Sequence, residues 1–203
     1  MRTLVFVCRR LLLEAGRKSL SEASKVERFE EIALQHLGAA YSLARWLVHN
    51  EHDAEDLVQD AYLRALKSFS GYYGGDSRSW LLTIVRNTCY TWLQRNRAQQ
   101  LTEPIDEKLE DELGLDFADP EALLLQRVDS EMVRDALREL PVEFREVVVL
   151  REMEALSYKE IAVIADIPIG TVMSRLKRGR TRLYALLAKR MGKEANVELS
   201  ANA

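Results

Sequence analysis

Three groups of side chains have the types and spacing to recognise a partner or do chemistry. The first is Thr171, Met173, Ser174, Arg175, Lys177 and Arg178, short polar groups and cations crowded into about two helical turns. A helix carrying such a set fits the DNA major groove. Its first N–H groups and hydroxyls reach phosphates, and arginine pairs bidentately with guanine. The plainer alternative is a solvated basic face. The second group is the run Gly71, Tyr72, Tyr73, Gly74, Gly75, Asp76, Ser77 and Arg78, with Trp80 beside it and Arg86, Asn87 and Tyr90 following. Aromatic platforms flanked by cations hold unpaired bases, each stacked base contributing about 1–3 kcal/mol. The alternative here is a surface turn whose tyrosines pack on a neighbouring helix. The third group is acidic: Glu51, Asp53, Glu55, Asp56 and Asp60, with Gln59 among them. A metal nuclease using Asp53, Asp56 and Asp60 is one reading. Against it, no glycine-rich phosphate loop accompanies them, and acids at a helix start are favoured by the helix dipole in any case. Glu55, Gln59 and Asp60 suit a surface that docks a basic helix of a partner. No catalytic residue is expected. His36, His49, His52, Cys8 and Cys89 show no ligand spacing, so neither a metal nor another cofactor is expected.

The elements that must position these groups read as helices. Phe29, Ala33, His36/Leu37, Ala40, Ala44 and Leu47 recur at steps of three and four, predicting a core helix over about 26–49. Asp53 then caps a second, with Ala54, Leu57/Val58, Ala61/Tyr62, Ala65/Leu66 and Phe69 inward. Ser70 to Ser77, with three glycines, is an exposed loop. A third helix from Ser79 to about Ala98 has Leu81, Ile84/Val85, Thr88 and Trp92 dry, and Arg86, Asn87 and Tyr90 on its wet side. Further on, Leu123 to Leu140 reads as a helix, and Pro141 suits the first position of the next, which runs to about Glu154. Val147 to Leu150 has the look of a buried strand, but without a partner strand the helical reading is kept. Ser157 and Glu160 form a capping box for a short helix to about Ala165. Asp166 to Gly170 turns the chain, and Thr171 to about Arg190 is helical again, with Val172, Leu176, Leu183 and Leu186/Leu187 inward. Two helices joined by a tight turn, the second cationic, make a helix-turn-helix.

The chain has 203 residues, with 29 lysines and arginines against 32 aspartates and glutamates, a net charge of −3. That balance excludes a uniformly basic nucleic-acid coat, but the charges are sorted along the chain. Ser77 to Thr102 carries Arg78, Arg86, Arg95 and Arg97 and no acid, and Ile167 to Lys193 carries eight cations and no acid. Between them, Thr102 to Glu121 holds nine acids against Lys108 alone. With Pro104, Gly114 and Pro120, this stretch is an extended acidic linker. The fold class is therefore all-α, with two small helical domains joined by that linker. The divisions are an N-terminal extension over 1–24, a first domain over 25–100, the linker over 101–122, a second domain over 123–192 and a tail over 193–203. The apolar scraps Leu4 to Cys8 and Leu11 to Leu13 are too short to span a membrane, which takes about 20 residues, and lack the order of an export signal. With two cysteines, a reducing cytoplasm is the expected compartment.

Asp53-Ala54-Glu55-Asp56-Leu57-Val58-Gln59-Asp60, Trp80-Leu81-Leu82-Thr83-Ile84-Val85-Arg86-Asn87, and the stretch from Leu140-Pro141 through Ser157-Tyr158-Lys159-Glu160-Ile161-Ala162 to Pro168-Ile169-Gly170-Thr171-Val172-Met173-Ser174-Arg175-Leu176 closely resemble regions two and four of the extracytoplasmic-function sigma factors of bacterial RNA polymerase. The resemblance covers about residues 26–192 in family order. It implies that the Asp53 to Lys67 helix, through Asp53, Glu55, Asp56, Gln59 and Asp60, binds the clamp of core RNA polymerase. It implies that Gly71 to Arg78, with Trp80, captures a flipped base of the minus-10 element while Arg86, Asn87 and Tyr90 hold the adjoining duplex. The linker would thread the polymerase interior. The second domain would sit on the flap and insert Thr171 to Arg178 into the minus-35 major groove. An anti-sigma factor is the further partner implied. Thr91 stands where the family commonly has an aspartate, Gln94 where it has a base and Met173 where it has a cation, so the minus-35 sequence does not follow from relatives. The expected function is thus promoter recognition and minus-10 melting with core polymerase. The competing reading is a free-standing helix-turn-helix regulator of duplex DNA, which has no use for an acidic docking helix and a single-strand loop.

Overall fold

A computed structural model of the chain describes residues 20–100 and 130–201, and every regular element among them is helical. The N-terminal extension, the acidic linker and the start of the helix expected from Leu123 lie outside the described residues. The first bundle comprises α1 (Leu20–Ala33), α2 (Leu37–Val48), α3 (Glu51–Ser68) and α4 (Ser77–Gln100). Helices α2, α3 and α4 pack against one another in every pairing. Small side chains permit this: Ala40, Ala44, Ala54, Ala61 and Ala65 have no exposed surface, so the backbones approach closely and Leu43, Leu47, Val58, Leu81, Leu82 and Val85 fill the centre. Phe29 lies edge-on to Tyr62 and Phe69, and the Tyr62 hydroxyl donates to the Ala33 carbonyl at 3.0 Å, satisfying a buried polar group.

The helix expected over 26–49 is two helices. A tight 3-10 turn at Leu34–His36 separates α1 from α2 and keeps both Ala33 and Leu37 in the core. His49 ends α2 in the left-handed conformation, φ 61°, and the next residue already starts α3. The cap expected at Asp53 is therefore Asn50, whose Oδ1 accepts from the His52 and Asp53 amides at 2.9 and 3.2 Å. Helix α4 begins two residues before the expected Ser79, because Asp76 Oδ1 accepts from the Arg78 and Ser79 amides.

The second bundle comprises α5 (Ser130–Glu139), α6 (Val142–Val148), α7 (Tyr158–Ala165) and α8 (Ile169–Ala201). Val147 to Leu150 is helical and buried, as the absence of a partner strand requires. Pro141 stands one position earlier than expected, as the residue that caps α6. After α6 the helix widens over Val149–Met153, where the Glu154 amide reaches back to the Val149 carbonyl at 3.2 Å. The capping box is formed: Ser157 Oγ accepts from the Glu160 amide and Glu160 Oε2 accepts from the Ser157 amide at 2.7 Å. Asp166 supplies the left-handed residue of the turn, φ 53°. Helix α8 starts at Ile169 rather than Thr171, since the Pro168 carbonyl accepts from the Thr171 and Val172 amides. It continues to Ala201, beyond the expected end near Arg190 and through most of the expected tail, because after Gly192 good helix formers follow and no proline stops it. Gly179 is where α8 crosses α6: a Cβ there would lie 2.9 Å from Val148 Cγ2.

The two bundles touch. Helix α4 packs against α7, and α2 against α6. No helix among the described residues is long and apolar enough to cross a membrane.

Candidate nucleic-acid interface

Helix α8 holds its cations in two different ways. Arg180 donates to Glu152 Oε1 from Nε at 3.1 Å and from Nη2 at 2.6 Å, and Arg190 donates to the Met132 carbonyl and pairs with Glu139, so both tie α8 to its own bundle. Arg175, Lys177 and Arg178 lie on another face, and among the described residues no carboxylate pairs with them. Lys177, Arg178, Ser174 and Met173 are exposed, Met173 by 54%, and Thr171 and Arg175 are half-buried beside them. Val172 and Leu176 are fully inward and fix the rotation of the helix that presents this row. The Ser174 hydroxyl donates back to the Thr171 carbonyl at 3.0 Å. This face can bind a polyanion without first breaking an ion pair.

The glycine loop splits its two tyrosines. Tyr72 is stacked on Phe69 at 5.8 Å and lies 4.9 Å from the Trp80 ring, and its hydroxyl donates to the Gly75 carbonyl at 2.8 Å. Tyr73 is 96% exposed. Packing on a neighbouring helix thus describes Tyr72, and only Tyr73 is presented to a ligand. Gly71 is exposed, and Gly74 and Gly75 take φ of 96° and 103°, which lets the loop double back over Tyr72. Asp76 and Ser77 have local duties: the Asp76 carboxylate caps α4, and Ser77 Oγ is 2.9 Å from His36 Nε2. Burial works to raise the Asp76 pKa, but hydrogen bonds from Ser79 and Arg78 outweigh it and hold the carboxyl below its usual range. His36 is held below the usual imidazole value by burial and by the nearby Arg78 charge.

The wet side expected on α4 is only partly wet. Arg86 is half-buried, and its Nε donates to Glu146 Oε1 of α6 at 2.7 Å. The Tyr90 hydroxyl donates to the other oxygen, Oε2, at 2.9 Å, and the Arg86 guanidinium lies 4.2 Å from the Tyr90 ring centroid. Glu146 has no exposed surface. Burial disfavours the Arg86 charge, but the hydrogen bond and charge of Glu146 more than compensate and leave its pKa raised. Burial and the same carboxylate push the Tyr90 phenol above its ordinary value, and the neighbouring Cys89 thiol up to about 12. Arg78 donates to Glu154 Oε2 at 2.8 Å, and Trp80 faces a cleft shared with Lys159, Glu160 and Val163 of α7. Asn87 alone of the expected duplex contacts is exposed, its Oδ1 accepting from Arg86 at 3.3 Å. Neither Glu146 nor Glu154 was among the candidate residues. The available signal was Glu146 itself, an acid followed at once by the buried run Val147 to Leu150.

On α3, Glu55 and Gln59 are half-buried and Asp56 is exposed, with Asp53 in the first turn and Asp60 bonded to Arg64 at 2.8 Å. Asp56 lies 3.7 Å from His52. Among the described residues no three histidine, cysteine, aspartate or glutamate side chains converge as metal ligands, so Asp53, Asp56 and Asp60 do not form a common metal site.

Comparison with known proteins gives consistent matches. The family model for Sigma-70 region 2 matches residues 32–99, and that for Sigma-70, region 4 matches 130–183. The chain is 35% identical over 167 residues to the ECF RNA polymerase sigma factor SigE of Mycolicibacterium smegmatis, a match covering 82% of this chain and 64% of that protein. It is 34% identical to the RNA polymerase sigma factor YlaC of Bacillus subtilis, over 70% of this chain and 81% of that one. It is 33% identical to the ECF RNA polymerase sigma-E factor of Escherichia coli, over 63% and 70%. Among solved structures, the sigma factor RpoE in complex with the anti-sigma factor NepR from Bartonella quintana is similar, with a TM-score of 0.63 and 28% identity over 80% of this chain and 98% of that one. CnrH in complex with the cytosolic domain of CnrY shares the fold, with a TM-score of 0.55 and 24% identity over 89% and 97%.

Proposed function

The chain belongs to the extracytoplasmic-function sigma factors of bacterial RNA polymerase, and from that membership we propose that it binds core RNA polymerase, directs it to particular promoters and helps melt the minus-10 element. Residues 25–100 act as region two and 123–192 as region four, joined by the acidic linker. The row Arg175, Lys177 and Arg178, with Thr171, Met173 and Ser174, enters the minus-35 major groove. Tyr73, at the tip of the Gly71 to Arg78 loop, receives an extruded base beside Trp80, and Arg78, Arg86, Asn87 and Tyr90 hold the flanking backbone. Asp53, Glu55, Asp56, Gln59 and Asp60 dock on the polymerase clamp. The protein works in the cytoplasm, does no chemistry of its own and uses the polymerase's binding energy for melting. Like the matched structure solved with an anti-sigma factor, it is controlled by such a partner.

The observation that carries this reading is the unpaired cationic row of α8, placed behind a capped helix and a left-handed turn, on the same chain as a bundle with an acidic helix and an exposed aromatic loop. Run-off transcription with purified core polymerase and a promoter library tests it. Transcripts that depend on this chain and start at a common sequence are expected. Their absence in reactions free of any inhibitor would overturn the proposal.

A further inference from the structure

One residue of the exposed row on α8 has the wrong chemistry for a phosphate. Met173 is 54% exposed, yet it carries no charge and no hydrogen-bond donor, and it belongs to neither apolar core of the described residues. Its neighbour Val172 has no exposed surface and Leu176, three residues on, has 2%, so the side of α8 that faces the bundle is fixed and Met173 is not on it. A helix turns about 100° per residue, which puts Lys177 about 40° to one side of Met173 and Ile169 about 40° to the other. The start of α8 therefore shows two zones. Ser174, Lys177 and Arg178 make a polar and cationic one, all exposed, and Met173 makes an apolar edge with Ile169, itself 43% exposed. An apolar side chain held in water beside cations is unfavourable for the free chain, so packing within the bundle does not account for it.

The major groove offers such a group one feature. The first residues of the second helix of a helix-turn-helix meet base edges there, and Met173 is the fifth residue of α8. Guanine, adenine and cytosine present donors and acceptors on those edges, whereas thymine adds a C5-methyl group. An arginine or lysine at this point would select guanine through O6 and N7, which a thioether cannot do. Burying one methyl group is worth about fourfold in affinity. Three rotatable bonds and a polarisable sulfur let methionine close on that methyl from the edge of the row. We propose that Met173 is a specificity-determining residue, which reads a thymine of the minus-35 element by contact with its C5-methyl while Lys177 and Arg178 beside it meet phosphates and guanine. This rests on the sigma-factor reading and deepens it: one base pair of the element is chosen by apolar contact and not by a hydrogen bond.

The test uses the holoenzyme formed from the full chain and core polymerase, on the promoter duplex that run-off transcription from a library selects. Each thymine of its minus-35 element is replaced in turn by deoxyuridine, which lacks only the C5-methyl, and fluorescence anisotropy of the labelled duplex reads the affinity of the closed complex. At one position the wild-type chain is expected to lose about fourfold in affinity. Met173→Ala should bind the thymine duplex more weakly by a like factor and show no difference between thymine and uracil at that position. At the remaining thymines the two chains respond alike. Met173→Arg should move the base selected at that position from thymine to guanine. The position is exposed and alanine is a good helix former, so Met173→Ala keeps the fold, as circular dichroism checks. A minus-35 element without thymine, uracil tolerated at every position, or a loss on uracil as large in Met173→Ala as in the wild type overturns the proposal. A Met173→Ala chain that binds core polymerase more weakly and keeps its response to uracil assigns the apolar edge to a protein contact, which also overturns it. In each of these results the wild-type chain still directs transcription and the sigma-factor reading stands, whereas a chain that starts no transcripts overturns both.

Discussion

The basic faces of α4 and α8 have similar sequence character, arginines among polar residues with no acid within either run from Ser77 to Thr102 or from Ile167 to Lys193, yet the fold treats them oppositely. On α8, Arg175, Lys177 and Arg178 point away from the bundle and meet no carboxylate among the described residues. On α4, Arg78 and Arg86 are taken up by Glu154 and Glu146 from the other bundle. The difference teaches that a cationic face is available only if nothing folded back can neutralise it. Local charge density is silent on that point. The same division appears within the glycine loop, where Tyr72 is absorbed into an aromatic cluster and Tyr73 is left out.

The largest expected effect lies on the engaged side. Arg86→Ala leaves Glu146 buried without its cation and should cost the packing of the two bundles about 3–5 kcal/mol, seen as lost hydrogen-exchange protection along α4 and α6. An Arg86→Ala chain as well protected as the wild type would break the comparison. On the free side, Arg175→Ala and Arg178→Ala should each weaken promoter binding by about 1–3 kcal/mol while leaving unfolding and core-polymerase affinity unchanged. Loss of polymerase binding instead would contradict the assignment of this face to DNA. In the loop, Tyr72→Ala should lower stability by about 1–2 kcal/mol in denaturant unfolding, whereas Tyr73→Ala should stay within about 0.5 kcal/mol. Tyr73→Ala should instead slow strand opening, measured by permanganate footprinting, more than closed-complex formation.

The smallest effect is a pH dependence at the join. Partial burial, then the Arg145 and Arg138 charges from the second bundle, lower the His49 pKa from 6.5 to about 4. A neutral imidazole in the folded state gives a contribution that is complete above pH 6.5 and is lost as the pH falls towards 4. Because His49 is largely open to water, the effect is modest. Thermal unfolding at pH 7 and pH 5 should show a smaller acid loss in His49→Gln than in the wild type, and identical losses would contradict this coupling.

Helical periodicity, the Ser157 and Glu160 capping box and the turn after Ala165 were legible from spacing alone, because each depends on neighbours within about four residues. Arg175 and Arg178 were legible as free for the same reason: Val172 and Leu176 set which side of α8 faces inward. Boundaries were less secure where two signals competed, as at Asn50 against Asp53, since either side chain can accept from a helix's first amides. The polar side of α4 read as solvent-facing because no nearby residue covers it.

The sequence by itself determined the helices, their inward stripes, the helix-turn-helix and the sorting of charge, all of which follow from local periodicity and from the chemistry of single side chains. Only the tertiary structure decided that Glu146 meets Arg86 and Tyr90, that Glu154 meets Arg78 and that Tyr72 is packed while Tyr73 is free. The contacts between the bundles join residues 56 to 76 positions apart, and their partners are selected by how whole bundles pack, which no short window of sequence contains.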